Sequence, residues 1–284
     1  MSRLTPFLVL LLTLAATSVF AQADERTVYA GVVDRDGAAV LDLSAKDFVV
    51  REDGVAREVL RVGKDDDPLQ IALLVDNSAE MRPRLTQLRR AASAFVKATR
   101  NGVPIALITL AERPTIVVGY TTDRAQLQAA IDKMFSFEAG NYLLDGIAET
   151  SQALAKRTVL RASIAVITGL GPEMSYRQYT EVLRFFREGG ASMHVLQLGA
   201  GVGEQGREIV VSRGTAETGG RFEQVLTINA LEMKAQQLAM EISNQYRITY
   251  ARPPRLIPPK KIDVSVRRPN LRVRSRALQT EKER

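Results

Sequence analysis

The residues with the clearest chemical potential lie in IALLVDNSAEM, residues 71–81. An apolar run ends in Asp76, Asn77 and Ser78, followed by Glu80 and Met81. Carboxylate and hydroxyl oxygens at the end of such a run suit a hard divalent cation, which takes about six oxygen ligands. Other chemistries are excluded. With no cysteine there is no thiol nucleophile and no Cys-based zinc site, and the single histidine, His194, rules out a multi-His zinc site. His194 reads as a structural residue of the strand SMHVLQLG. We find no nucleophile elbow and no P-loop; spacing alone leaves an acid pair for hydrolysis open, no placement supports one, and no catalytic residue is assigned. GVGEQG, residues 201–206, matches a dinucleotide-binding glycine pattern. It follows a late strand with no acid suitably placed, so it reads as a glycine-rich loop.

The elements that must position these residues alternate. LQIALLVD, VPIALITLA, ASIAVITG and SMHVLQLG are continuous apolar runs, as strands covered on both faces require. Helices are expected at 83–100, 124–135, 142–156, 176–188, 208–217 and 230–244, with PTIVVGYT a shorter strand and RFEQV a short edge strand. Alternating strands and helices predict a mainly parallel sheet with helices on both faces. In such a sheet ligands bind beyond the carboxyl ends of the strands, where Asp76 and Ser78 fall. Before this region, residues 24–64 read as a β module. It has a turn at Asp36-Gly37, an N-cap candidate at Ser44, and a hairpin joining DFVVRED to REVLRV at Asp53-Gly54. Residues 65–68 (Asp65-Asp66-Asp67-Pro68) read as a linker, and 69–244 as the α/β domain. Residues 245–284 return to β in QYRITYA, KIDVSVRR and LRVRSRA, and are expected to pack with the N-terminal module.

Residues 1–23 have the build of a secretory signal peptide: Arg3, an apolar run from Phe7 to Phe20, and small residues at Ala21 and Ala23. Cleavage near Ala23 is expected, giving a secreted or periplasmic protein without a transmembrane helix in its mature chain. The chain has 284 residues and a formal net charge of +7. From Arg252 to Arg284 there are eleven Lys and Arg against three acids, so the basicity belongs to that segment. In LRVRSR the arginines alternate onto one face, so Arg267, Arg272, Arg274 and Arg276 are expected to form a basic surface. No nucleic-acid motif or aromatic interleaving accompanies it.

VDNSAEM resembles the metal-ion-dependent adhesion site of von Willebrand factor type A domains, whose first loop reads Asp-x-Ser-x-Ser. Asp76 and Ser78 match, and Glu80 stands at the second Ser. EAGNYLLDGIAET resembles the family's second loop through Gly140, Leu144, Asp145 and Ile147, with Asn141 at the Thr position. AVITGLGPE resembles the third, with Thr168 matching and Gly169 at the Asp position. DRDGAAVLDLSAKDFVVREDGVAREV, TAETGGRF and NQYRITYA resemble stretches of a bacterial extracytoplasmic family related to it. The resemblance implies a Rossmann-like α/β fold and a non-enzymatic module that binds a protein partner. It also implies a degenerate metal site at Asp76, Ser78, Glu80 and Asn141. Glu80 either fills the ion's volume or supplies the carboxylate lost at Gly169. The expected result is metal-independent adhesion with no cofactor, using Asn77, Met81, Arg82, Tyr142, Gly169, Gly201 and Gly203 on the ligand-face loops. Three alternatives stay open: weak or altered binding of Mg²⁺, Mn²⁺ or Ca²⁺, an electrostatic contact of the basic segment with the anionic cell envelope, and an envelope hydrolase.

Overall fold

The computed structural model describes residues 24–276 apart from 65, 158, 202 and 255–257. The leader and its cleavage site lie outside the described residues.

The strands are β1 (Asp24–Val33), β2 (Phe48–Glu52), β3 (Val55–Arg57), β4 (Val59–Lys64), β5 (Leu69–Val75), β6 (Ile105–Thr109), β7 (Thr115–Thr121), β8 (Arg161–Thr168), β9 (Ser192–Leu198), β10 (Phe222–Val225), β11 (Tyr246–Arg252), β12 (Ile262–Val266) and β13 (Arg272–Ser275). The helices are α1 (Leu85–Ala98), α2 (Arg124–Lys133), α3 (Leu143–Ala155), α4 (Tyr179–Gly189), α5 (Gln205–Glu217) and α6 (Leu231–Ser243). One sheet has the order β10-β9-β8-β5-β6-β7, parallel except for β7 at its edge. β5 is buried from Ile71 to Val75, as its unbroken apolar run requires. Ile71, Leu73 and Val75 face α1, α2 and α6 through Leu88, Phe95, Ile131 and Leu238. Ala72 and Leu74 face α3, α4 and α5 through Ile147, Phe186 and Val210. Each fully buried aliphatic or aromatic side chain contributes roughly 1.5–3 kcal/mol of transfer free energy. The domain is therefore held from both faces of the strand that ends at Asp76.

The remaining strands form two small sheets, β13-β1-β11-β4 and β12-β2-β3. The turn between β2 and β3 places Asp53 and Gly54 at positive φ, a conformation Gly adopts without a Cβ clash. Between the sheets Val28, Phe48, Val50, Tyr246, Ile248 and Tyr250 are buried together. Glu52 is 2% exposed and accepts from Tyr250 Oη at 2.8 Å and from Arg57 Nε at 2.9 Å. In contrast to the sequence reading, REVLRV is split. Val55–Arg57 pairs with β2, while Val59–Lys64 crosses to β11 in the other sheet.

Two helices begin later than periodicity suggests. Ala79–Arg84, which contains Pro83, is a 3₁₀ turn ahead of α1, and α4 starts at Tyr179 rather than 176. The basic face is also reshaped. Arg267 and Arg272 are exposed, but Arg274 Nη1 donates to Glu241 of α6 at 2.7 Å, and Arg276 donates to the carbonyls of Gly190 and Phe186. A buried carboxylate and unsatisfied carbonyls draw these guanidinia inward, because burying such groups without a partner costs more than ordering an arginine. His194 is fully buried near Arg274 and Arg221, and burial with these charges pushes its pKa down to about 3.

Candidate functional site

β5 and β8 lie side by side with Val75 opposite Ile167, so the first and third loops leave the sheet together. Asn141 of the second loop bridges to both neighbouring segments, at Ala111 and at Glu173. Asn141 N donates to Pro172 O at 3.0 Å, and Met174 N donates to Asn141 O at 2.8 Å. The sequence-identified residues Asp76, Ser78, Asn141, Thr168 and Gly169 therefore do meet.

Asp76 is 0% exposed. Its Oδ1 accepts from Ser78 N at 3.0 Å. Its Oδ2 accepts from Asn141 Nδ2 at 2.8 Å, Thr168 Oγ1 at 3.0 Å and Gly169 N at 3.0 Å. A carboxylate has about four lone-pair sites; donors from two loops crowd Oδ2, and Oδ1 takes the one from Ser78 N. Contact with the carboxylate fixes the amide of Asn141: its NH₂ group faces Asp76, and its oxygen turns away. Ser78 Oγ and Asn141 Oδ1 are buried without a protein partner.

Glu80 does not enter this cluster. Its Oε1 lies 3.3 Å from Arg84 Nη1, and its stem packs on Gly171, where a Cβ would come within 2.9 Å of Glu80 Cβ. Met81 is 0% exposed, and a Cβ on Gly169 would stand 2.7 Å from its Sδ. An Asp side chain at 169 would thus need the space Met81 occupies. Asn77 is 2% exposed, with Nδ2 donating to Phe135 O and Oδ1 accepting from Ala111 N. The expectation that Asn77 and Met81 contact a partner is therefore corrected. Both point inward, Asn77 to tie loops together and Met81 to fill the space under the third loop.

A charge that the sequence reading missed lies behind the site. Arg207, in the first turn of α5, is 1% exposed. Its Nη2 donates to Thr168 Oγ1 at 3.2 Å and to Gly169 O, and Nη1 reaches Gly171 O at 3.4 Å. Burial lowers its pKa, while the charges of Glu173 and Asp76 oppose that shift. Burial raises the pKa of Glu173. The available signal was an arginine at the start of a helix that follows a glycine-rich loop at the carboxyl end of β9.

The outer surface carries apolar and aromatic groups. Tyr176 is 83% exposed and Met174 49%. Tyr142 is half-buried, with its ring 6.1 Å from that of Tyr176. Asp145 presents this pair by accepting from Tyr176 N and Arg177 N, each at 3.1 Å. Arg82 is exposed and pairs with Glu138, and Gly201 and Gly203 border the same end of the sheet beside Leu170 and Arg207. Met174 and Tyr176 were not singled out from sequence, where Tyr176 reads as the start of a helix and Met174 precedes it.

The donor set does not fit a divalent ion. The one central carboxylate already takes four donors from its own chain, Gly169 stands where the third loop would need an acid, and Glu80 is turned to Arg84. Ser78 Oγ and Asn141 Oδ1 remain, two neutral oxygens that a water molecule satisfies equally well. Among the described residues, no three His, Asp or Glu side chains converge as a metal cluster.

Residues 71–172 match the family model of the von Willebrand factor type A domain. No curated protein matches by sequence. Among solved structures, a von Willebrand factor type A protein from Catenulispora acidiphila aligns over 93% of this chain and 75% of its own, with TM-score 0.53 and 10% identity. The PilB minor pilin from Streptococcus sanguinis aligns over 63% and 62%, with TM-score 0.51 and 10% identity. Proximal thread matrix protein 1 from the mussel byssus aligns over 68% and 49%, with TM-score 0.50 and 16% identity. At these identities the likeness is one of fold.

Proposed function

We propose that this chain, which carries a von Willebrand factor type A domain, is an extracytoplasmic protein-interaction module that holds its partner through the loop face without a divalent ion. The observation that carries the reading is the buried carboxylate of Asp76, which takes four donors from its own chain. One buried carboxylate tied down by its own loops supplies too little charge to hold a divalent ion for a partner's acid. The partner is held instead by the exposed Met174 and Tyr176, with Tyr142 beside Tyr176. Aromatic and Met side chains are enriched at protein interfaces; an aromatic ring buries much area at low entropic cost, and a flexible Met adapts to the surface it meets. The assignment is non-enzymatic, in line with the interaction role general to these domains. Fold neighbours named as a pilin and a byssus matrix protein support an adhesive role in kind. The leader-like residues 1–23 support export, and among the described residues no helix is long and apolar enough to cross a membrane.

Photo-crosslinking in the native host tests this. A benzophenone amino acid at Tyr176 is expected to give a discrete crosslinked protein, unchanged by EDTA. The same probe at Val55, 52% exposed in the β module, is expected to give none of that species. Equal capture at both positions would count against the loop face, and loss of the Tyr176 product in EDTA would count against metal independence.

A further inference from the structure

We propose that Arg207 is a built-in cation that takes the place of a divalent ion in organising the loop face. The inference rests on the metal-independent reading above and names the group that makes it possible. Three features converge on it. Arg207 is the charged side chain that reaches Thr168, which in turn donates to Asp76, so one hydroxyl links the buried cation to the buried anion. The same guanidinium binds the carbonyls of Gly169 and Gly171, which clamps the third loop from beneath, the loop that displays Met174 and Tyr176. A planar fork suits this work, since it makes several directed bonds and stays protonated when buried. Third, the glycine-rich loop finds a purpose. A Cβ on Gly203 would stand 3.1 Å from Arg207 Cδ and 3.4 Å from Nε, so the loop leaves room for the arginine stem instead of cradling a phosphate. An ion that comes and goes would make the face switchable. A cation fixed in the chain keeps it formed, and a guanidinium 1% exposed cannot receive a partner's carboxylate. The partner therefore needs no acidic key residue.

A double-mutant cycle with R207M, D76N and the double variant tests this by thermal unfolding, each in EDTA and in millimolar Mg²⁺. Removing the buried cation, which leaves Asp76 and Glu173 without its opposing charge, is expected to lower the melting temperature of R207M by on the order of 10 °C. If Asp76 and Arg207 compensate each other, the double variant melts at or above R207M. Additive losses would overturn the proposal. R207Q, which keeps a donor without the charge, replaces R207M if that variant does not fold, with the same non-additivity expected. A wild-type melting temperature that rises in Mg²⁺ and fails to rise in D76N would overturn the metal-independent reading itself, whatever the cycle gives.

Discussion

Restoring the third-loop acid, Gly169→Asp, should destabilise the protein. A Cβ at 169 would lie 2.7 Å from Met81 Sδ and 3.6 Å from Met81 Cγ, and Met81 has no exposed surface into which to retreat. Overpacking of this kind costs about 1–3 kcal/mol. The new carboxylate would also stand close to Asp76, since Gly169 N is 3.0 Å from Asp76 Oδ2. Two like charges about 5 Å apart repel by roughly 3 kcal/mol at an effective dielectric near 20, and Arg207 offsets part of this. The sum is about 3–5 kcal/mol, or roughly 10 °C in melting temperature for a chain of this size. Met81→Ala alone should cost about 2–5 kcal/mol by opening a cavity. Combined, the two should cost less than their sum by about 1 kcal/mol or more, because the cavity receives the new side chain. Urea unfolding of the four proteins measures this. A Gly169→Asp variant within about 0.5 kcal/mol of wild type, or strictly additive costs, would refute the steric account of why this acid is missing.

His194 is held neutral, with a folded-state pKa near 3 against 6.5 for the free side chain. The unfolded chain therefore takes up the proton first, and stability present above about pH 6.5 is lost as pH falls towards 3, by about 2 kcal/mol already at pH 5. In His194→Asn the drop between pH 7 and pH 5 should shrink by about that amount in urea titrations; an unchanged drop would exclude His194 as its source. Arg274→Ala removes the 2.7 Å bond between β13 and Glu241, a carboxylate 1% exposed. A loss of about 1.5–3 kcal/mol is expected, with faster trypsin cleavage at Arg272 seen by mass spectrometry; unchanged cleavage would mean that β13 is held by its pairing to β1 alone.

The parallel core was legible because a strand covered on both faces has to be apolar throughout. LQIALLVD and ASIAVITG carry that requirement in their composition, and they form β5 and β8 at the centre of the sheet. The split of REVLRV was not legible, because alternation identifies a strand and leaves its partner open. Met81 misled for a related reason. It sits in a 3₁₀ turn, which lacks the helical face that reveals an inward side chain, and its partner is a glycine without a side chain to match. Arg207 was hidden because two of its three acceptors are backbone carbonyls 36 and 38 residues away, and carbonyls have no sequence signature. Such contacts also explain why the departures at Glu80, Asn141 and Gly169 belong together. With Gly169 in place of an acid, Met81 can fold beneath the third loop. With Asn141 in place of Thr, an amide can donate to Asp76. With Gly171 opposite, the Glu80 stem can lie flat and direct its carboxylate to Arg84. Together with Arg207 these residues give a packed cluster in which a buried cation is linked through Thr168 to the buried carboxylate of Asp76.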